Sequence, residues 1–233
     1  MTSTSSPVVW APPARVRGTL AVVTGRGERA PVYERFGRRL SSDGYTVGVF
    51  EGDADAAAAW LAQAEDAPRV LVGSDSGATA VLRVLTQGDA VDAAIIAGTP
   101  VGDELGAQPA DEERSACPLH LGVLGRSESR TEDFPAEAVP TTADLASISV
   151  PVLAFHGGAD SVSPLAEVAS ALRTVPDLEL IETVDGLHDA LNDQSHRSVA
   201  ASIVLWLERL RGGDAKAPVV RTVPVSAPIG AAA

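Results

Sequence analysis

The sequence predicts one α/β domain built on a mostly parallel, doubly wound sheet. Two observations point there. Short, almost wholly apolar runs alternate with segments whose apolar residues recur at helical spacing. The apolar runs also lack in–out alternation, as expected of strands covered on both faces. At 233 residues the chain suits one well-buried domain rather than two.

The first strand is expected at Val16–Thr24, followed by a helix at Val32–Ser42, where Val32, Tyr33, Phe36 and Leu40 share a face. Strand Tyr45–Phe50 and an Ala-rich helix, Asp53–Glu65, come next. Arg69–Val72 reads as a short buried strand, Ser76–Leu85 as a helix and Val91–Ala97 as a strand. The later half carries strand Val150–Phe155, helix Pro164–Val175, strand Leu178–Thr183 and a long final helix, Gln194–Leu210. Residues 15–211 therefore form the domain.

Residues 1–14 (Ser, Thr and Pro) and 212–233 (Gly, Pro and Ala) show no period and are expected to be disordered tails. Val219–Val225 is the one stretch there with edge-strand character, but prolines flank it. Residues 100–149 are irregular, rich in Pro, Ser and acids, and too long for a plain connection. They are read as a reduced cap or lid.

Composition narrows the function classes. A net charge of −13 argues against nucleic acid and against anionic membrane surfaces, both of which select basic proteins. No apolar run approaches the ~20 residues of a membrane span. The start of the chain lacks the basic and apolar regions of a secretory signal. One cysteine, Cys117, allows no internal disulfide and fits a reducing cytoplasm. The expected partner is a small-molecule substrate, with no cofactor. The oligomeric state is left open, a homodimer included.

In such a sheet, chemistry collects at the carboxyl ends of the strands. Three of those ends carry chemistry-bearing residues. Gly73-Ser74-Asp75-Ser76-Gly77, between a buried strand and a helix, has the G-x-nucleophile-x-G pattern of a sharp elbow, with aspartate at the centre. Asp160 follows the strand at Val150–Phe155 in a Gly-rich loop. His188 follows the strand at Leu178–Thr183. The chain order of nucleophile position, acid and histidine is that of the α/β-hydrolase fold.

Further stretches carry a resemblance. Thr24-Gly25-Arg26-Gly27-Glu28 with Tyr33 and Leu40, Pro151–Pro164 (PVLAFHGGADSVSP), and Leu187–Asp193 (LHDALND) followed by Trp206-Leu207 are together similar to monoacylglycerol lipase and lysophospholipase-like hydrolases, of the serine aminopeptidase S33 type. The resemblance spans most of Val16–Leu210 outside 100–149. It implies an α/β-hydrolase fold, His188 as catalytic histidine, Asp160 as its acid, and an oxyanion hole from the backbone N–H groups of Arg26 and Ser76. This sequence departs from that pattern twice: Thr24 stands where the family has histidine, and Asp75 where it has the nucleophilic serine.

Aspartate at the elbow is similar to epoxide hydrolases and haloalkane dehalogenases, in which the carboxylate attacks carbon. Their supporting residues are absent. The only tyrosines, Tyr33 and Tyr45, lie outside the cap; Ser76 stands where dehalogenases carry Trp; and Gly77-Ala78-Thr79-Ala80 holds no arginine.

The expected reading is a cofactor-free hydrolase of a small ester, lactone or related electrophile. Asp75 attacks or positions water, His188 is the base and Asp160 orients it. Two alternatives stay open: a His188–Asp160 dyad driving elimination, cyclisation or rearrangement, and a catalytically inactive small-molecule-binding homologue in which Asp75 is inert. Repulsion between Asp75 and Asp160 would raise one carboxyl pKa. Asp160 alternatively caps a helix, His156 reads as loop packing and His196 as surface. Cys117 and His120 are candidates to line the pocket, and no metal site is expected. Gly25-x-Gly27 lacks the third glycine of a dinucleotide loop.

Overall fold

Gly18–Val23 is buried at every position, which a strand tolerates only when layers cover both faces of its sheet. In this computed structural model, which describes residues 6–88, 91–102, 105, 108–132 and 136–223, the sheet has seven strands. They are β1 (Val8–Trp10), β2 (Gly18–Val23), β3 (Tyr45–Phe50), β4 (Arg69–Ser74), β5 (Ala93–Ala97), β6 (Val152–Gly157) and β7 (Leu178–Thr183). Their order is β1-β3-β2-β4-β5-β6-β7, and every neighbouring pair is parallel except β1 with β3.

The helices are α1 (Glu34–Ser42), α2 (Ala54–Leu61), α3 (Ser76–Thr86), α4 (Asp111–Arg114), α5 (Pro118–Leu124), α6 (Thr142–Leu145), α7 (Leu165–Leu172) and α8 (His196–Arg211). Alternate residues of one strand enter opposite cores. Leu20 and Val22 pack with Phe36 and Leu40 of α1 and with Ile203 and Trp206 of α8. Ala21 and Val23 pack with Leu61 of α2, Leu82 of α3 and Leu172 of α7. The result is a three-layer α/β/α arrangement, and it is the fold the apolar runs predicted.

β2 sits where the strand order reverses, with β3 on one side and β4 on the other. Loops leaving such a pair diverge to opposite faces and open a crevice at the strands' carboxyl ends. The two loops concerned carry Arg26 and Asp75.

The structure corrects the sequence reading in three places. Residues 1–14 were expected to be a tail, yet Val8–Trp10 pairs antiparallel with Val47–Val49. The reason is tertiary: the Trp10 ring rests on Gly37 of α1 so closely that a Cβ there would lie 2.2 Å from it. Residues 212–223 form no helix or strand, but Ala215 is buried in the core and Lys216 pairs with Asp177 at 2.7 Å. Val219–Val223 is not a strand, and 224–233 lie outside the described residues. Finally, β6 runs on to Gly157, so His156 is a strand residue with no exposed surface rather than a loop residue.

Residues 100–149 supply α4, α5 and α6 and tie to the loop after β2. The Arg29 N–H donates to Ser129 O at 3.0 Å and the Thr131 N–H to Gly27 O at 3.1 Å.

Candidate active site

β4 hands over to α3 through Asp75, whose backbone is held at φ 50°, ψ −121°. A non-glycine residue there is strained by about 1–3 kcal/mol and persists only where its surroundings impose it. The flanking glycines are part of that imposition. A Cβ on Gly73 would lie 2.3 Å from the Gly77 carbonyl oxygen, and one on Gly77 would lie 2.2 Å from that of Val23. Glycine at both 73 and 77 is what lets the turn fold back this tightly against β2. The Asp75 N–H is fixed by Ala97 O at 2.9 Å.

The Asp75 carboxylate points into a closed cluster and is 4% exposed. Its Oδ1 lies 3.0 Å from His188 Nε2. His188 Nδ1 lies 2.7 Å from Asp160 Oδ2. Asp75, His188 and Asp160, distant in sequence, are thus in contact. Asp160 also does the work of a turn cap, since its Oδ1 accepts the N–H groups of Val162 and Ser163 at 2.8 and 3.0 Å.

Two residues assigned smaller parts from sequence stand in this cluster. Asp160 Oδ2 also lies 2.9 Å from His156 Nε2, which is 2.6 Å from Ser163 O. With a carboxylate and a carbonyl both facing Nε2, that nitrogen carries the proton. Arg26 was assigned only for its backbone N–H, and that group does donate to Asp75 Oδ2 at 2.8 Å. Its side chain does more. Nε reaches both Asp75 oxygens at 2.9 and 3.0 Å, and Nη2 reaches Oδ1 at 2.7 Å. The donor expected to hold a substrate oxyanion therefore holds Asp75 itself. Ser76 opens α3 directly after Asp75 and is buried.

Burial alone would push the Asp75 carboxyl up. The hydrogen bonds and charges of His188 and Arg26 outweigh it and hold the group well below the ordinary carboxylate range. Asp160 behaves alike: burial opposes ionisation, and His156 and His188 more than reverse it. Neither carboxyl is raised as mutual repulsion would have it, because the hydrogen bonds and charges of the neighbouring cations outweigh it. For His188, burial pulls the imidazole down, but the hydrogen bonds it donates to Asp160 and Asp75, with their charges, push it up to about 9. At neutral pH Asp75, Asp160, Arg26 and His188 form a balanced set of two carboxylates, one guanidinium and one imidazolium.

His188 has a folded pKa of about 9 against an ordinary 6.5, so its stabilisation is whole below 6.5 and drains as pH rises through 9. The loss is on the order of 3 kcal/mol. Asp75 and Asp160 act oppositely, losing their contribution as pH falls below about 4. The melting temperature is expected to peak between about pH 4 and 6.5 and to fall on both sides. A His188→Gln variant should flatten the alkaline slope, which a thermal-unfolding series against pH measures.

Behind the loop after β2 lies a second buried ion pair. Arg114 of α4 donates from Nη1 to Glu28 Oε1 and from Nη2 to Arg26 O, both at 2.7 Å. Tyr33 donates its hydroxyl to Glu28 Oε2, and the Gly25 N–H donates to the Tyr33 oxygen at 3.0 Å. These contacts fix the backbone that presents the Arg26 N–H. His120 of α5 lies 2.7 Å from Asp189, beside His188 in sequence, and Arg35 contacts Cys117. Neither Cys117 nor His120 borders the cavity next to Arg26; they anchor α5 instead.

That cavity, about 160 Å³, lies between the loop after β2, described residues between Pro100 and Glu113, and the Asp160 loop. Arg26, Val101, Gln108, Glu113, Ser161 and Ser163 are among its walls, whereas Asp75, His188 and Asp160 are not. Arg26 stands between the cavity and the carboxylate.

No family model matches the chain. No curated protein matches it either. Solved structures do. A thermostable carboxyl esterase from Bacillus coagulans in complex with glycerol superposes with a TM-score of 0.73 at 16% identity, covering 87% of this chain and 93% of that one. Monoacylglycerol lipase of Paleococcus ferrophilus gives 0.71 at 15%, over 87% and 98%. MenH from S. aureus gives 0.69 at 14%, over 91% and 100%. Together with the sheet order and flanking helices, these likenesses show that the chain has the α/β-hydrolase fold.

Proposed function

We propose that the chain is a cofactor-free hydrolase of a small ester, lactone or related electrophile, acting through Asp75. The observation that carries this reading is His188 bridging two carboxylates: Nε2 faces Asp75 at the strained elbow and Nδ1 faces Asp160. A histidine so placed serves both half-reactions.

Asp75 Oδ1 attacks an electrophilic carbon of the substrate as that carbon's bond to oxygen breaks. The departing oxygen takes the Nε2 proton of the His188 imidazolium. The product is an alkyl ester of Asp75. Esterification removes one of the two negative charges that raised the His188 pKa, so the imidazole stays neutral and becomes a base. His188 then takes a proton from water, which attacks Cγ of Asp75. The oxyanion forms at Oδ2, where the Arg26 N–H already lies at 2.8 Å, with Ser76 N–H as the second donor of this reading. Collapse expels the alkoxide, which takes the proton back from His188. The regenerated acid ionises onto His188 and restores the starting charges. Asp160 holds the imidazole and supports its charge throughout, and residues 100–149 act as the reduced cap. Proton delivery by His188 removes the need for cap tyrosines.

One observation favours a second reading, an inactive small-molecule-binding homologue. Arg26 and His188 together engage both Asp75 oxygens, as they would in a purely structural ion pair.

A panel of short esters, lactones and epoxides separates the two. The hydrolase reading expects turnover whose kcat/KM falls above about pH 9, as free His188 loses the proton that the leaving oxygen needs. Saturable binding of panel members without turnover at any pH would establish the second.

A further inference from the structure

Resting on the hydrolase reading, we propose that the substrate carries a carboxylate, and that this carboxylate takes the place of Asp75 on the Arg26 guanidinium. A nucleophile needs a lone pair directed at substrate, yet both oxygens of Asp75 are held by the Arg26 fork, which reaches Oδ1 through Nε and Nη2 and Oδ2 through Nε. Asp75 also has no surface on the cavity, whereas Arg26 does. A substrate entering that space meets the guanidinium first.

Arg26 can release Asp75 only if something replaces its counter-charge. The residue is 2% exposed, and stripping a buried guanidinium of its anion is strongly unfavourable. A neutral substrate offers no such replacement. A carboxylate does, because its two oxygens match the planar fork that now holds Asp75. The exchange keeps the site balanced. The substrate's charge pairs with Arg26, and Asp75 stays paired with the His188 imidazolium at 3.0 Å. Asp75 Oδ1 is then relieved of two guanidinium donors and free to attack, while the backbone N–H of Arg26 still holds Oδ2.

The walls fit this occupant. Ser161, Ser163 and the Gln108 amide supply polar contacts, and Val101, Leu105 and Val162 an apolar side. Among the described residues the one acid there, Glu113, accepts the Ala110 N–H through Oε2 at 2.8 Å. At about 160 Å³ the space is close to that of a ~150 Å³ cavity that takes benzene, which suits a short-chain acid. The substrate class is therefore a small carboxylic acid with its electrophilic carbon close to the carboxylate. The same exchange makes Arg26 a specificity device: without an anion, the nucleophile stays clamped.

The test titrates the wild-type protein with propionate and with its neutral isostere propionamide at pH 7, following the Arg26 Nε–H and the Asp75 carboxyl carbon by NMR. Propionate should shift both signals saturably and bind at least ten-fold more tightly than propionamide. Equal binding of the two, or no binding of propionate, overturns the carboxylate assignment. Arg26→Lys, which keeps the charge but loses the fork, should weaken propionate at least ten-fold; unchanged affinity also overturns it. Because the comparison in wild type needs no variant, a failure of Arg26→Lys to fold leaves it decisive. The two readings fail separately. Turnover of neutral esters with no propionate binding sinks the carboxylate exchange and leaves the hydrolase standing. Propionate docking with no turnover of any short carboxylate-bearing ester or epoxide sinks the hydrolase and leaves a carboxylate-binding site.

Discussion

Asp75→Asn should cost about 3–5 kcal/mol of stability, far more than its isosteric shape suggests. The Arg26 guanidinium would stay buried with no anion, and the amide nitrogen would present donors to a site already full of them. Arg26→Gln should be costly for the converse reason, although the His188 imidazolium still faces the stranded carboxylate at 3.0 Å. The double variant should be much less destabilised than the sum, because it removes both charges together. Urea midpoints for the four proteins measure the coupling. Additive losses would mean that the contacts between Arg26 and Asp75 contribute nothing net to the fold.

The other large effect is on rate. His188→Gln should lower turnover by about 10²–10⁴-fold, the usual worth of a positioned acid–base group. Both steps lose a group: alkylation keeps Asp75 but loses the Nε2 proton for the departing oxygen, and hydrolysis of the alkyl ester loses its base. A substrate whose departing oxygen leaves unprotonated should still alkylate Asp75 in this variant and stall there, and intact-protein mass spectrometry reads that adduct directly. Glutamine is a better replacement than alanine here. His188 is 2% exposed and packed between two acids, so deleting the ring would leave a buried gap as well as lost chemistry.

The sheet was legible because five of its strands, β2 to β6, are buried on both faces, and a sixth, β7, keeps three apolar residues in strand-length spacing although it is half exposed. The seventh was not. Val8 and Val9 are half exposed, and Trp10 is useful only because Gly37, far along the chain, leaves room for its ring. Nothing local to residues 8–10 encodes that contact. The acids and the histidine of the site were legible from strand-end placement together with glycine spacing. Arg26 was read only as a backbone donor, since its place in the Gly25-x-Gly27 turn tolerates any side chain. The signal that existed was electrostatic: a carboxylate at an elbow that ordinarily carries a neutral hydroxyl calls for a cation nearby, and the adjoining loop holds one. His156 was missed by a boundary error, because β6 extends two residues beyond its apolar run. The Arg114–Glu28 pair was beyond reach. It joins residues 86 positions apart, one of them in a segment with no regular period.

The most direct test of Asp75 as nucleophile is where water's oxygen goes. In a single turnover with enzyme in excess, run in oxygen-18 water on whichever panel substrate reacts, the oxygen added to Cγ exchanges for one of the Asp75 carboxylate oxygens. Peptide mass spectrometry should therefore find heavy oxygen in the Asp75 peptide and none in the product of that first turnover. Label in the product, with an unlabelled Asp75, would mean that water attacks the substrate directly and that no covalent ester of Asp75 forms.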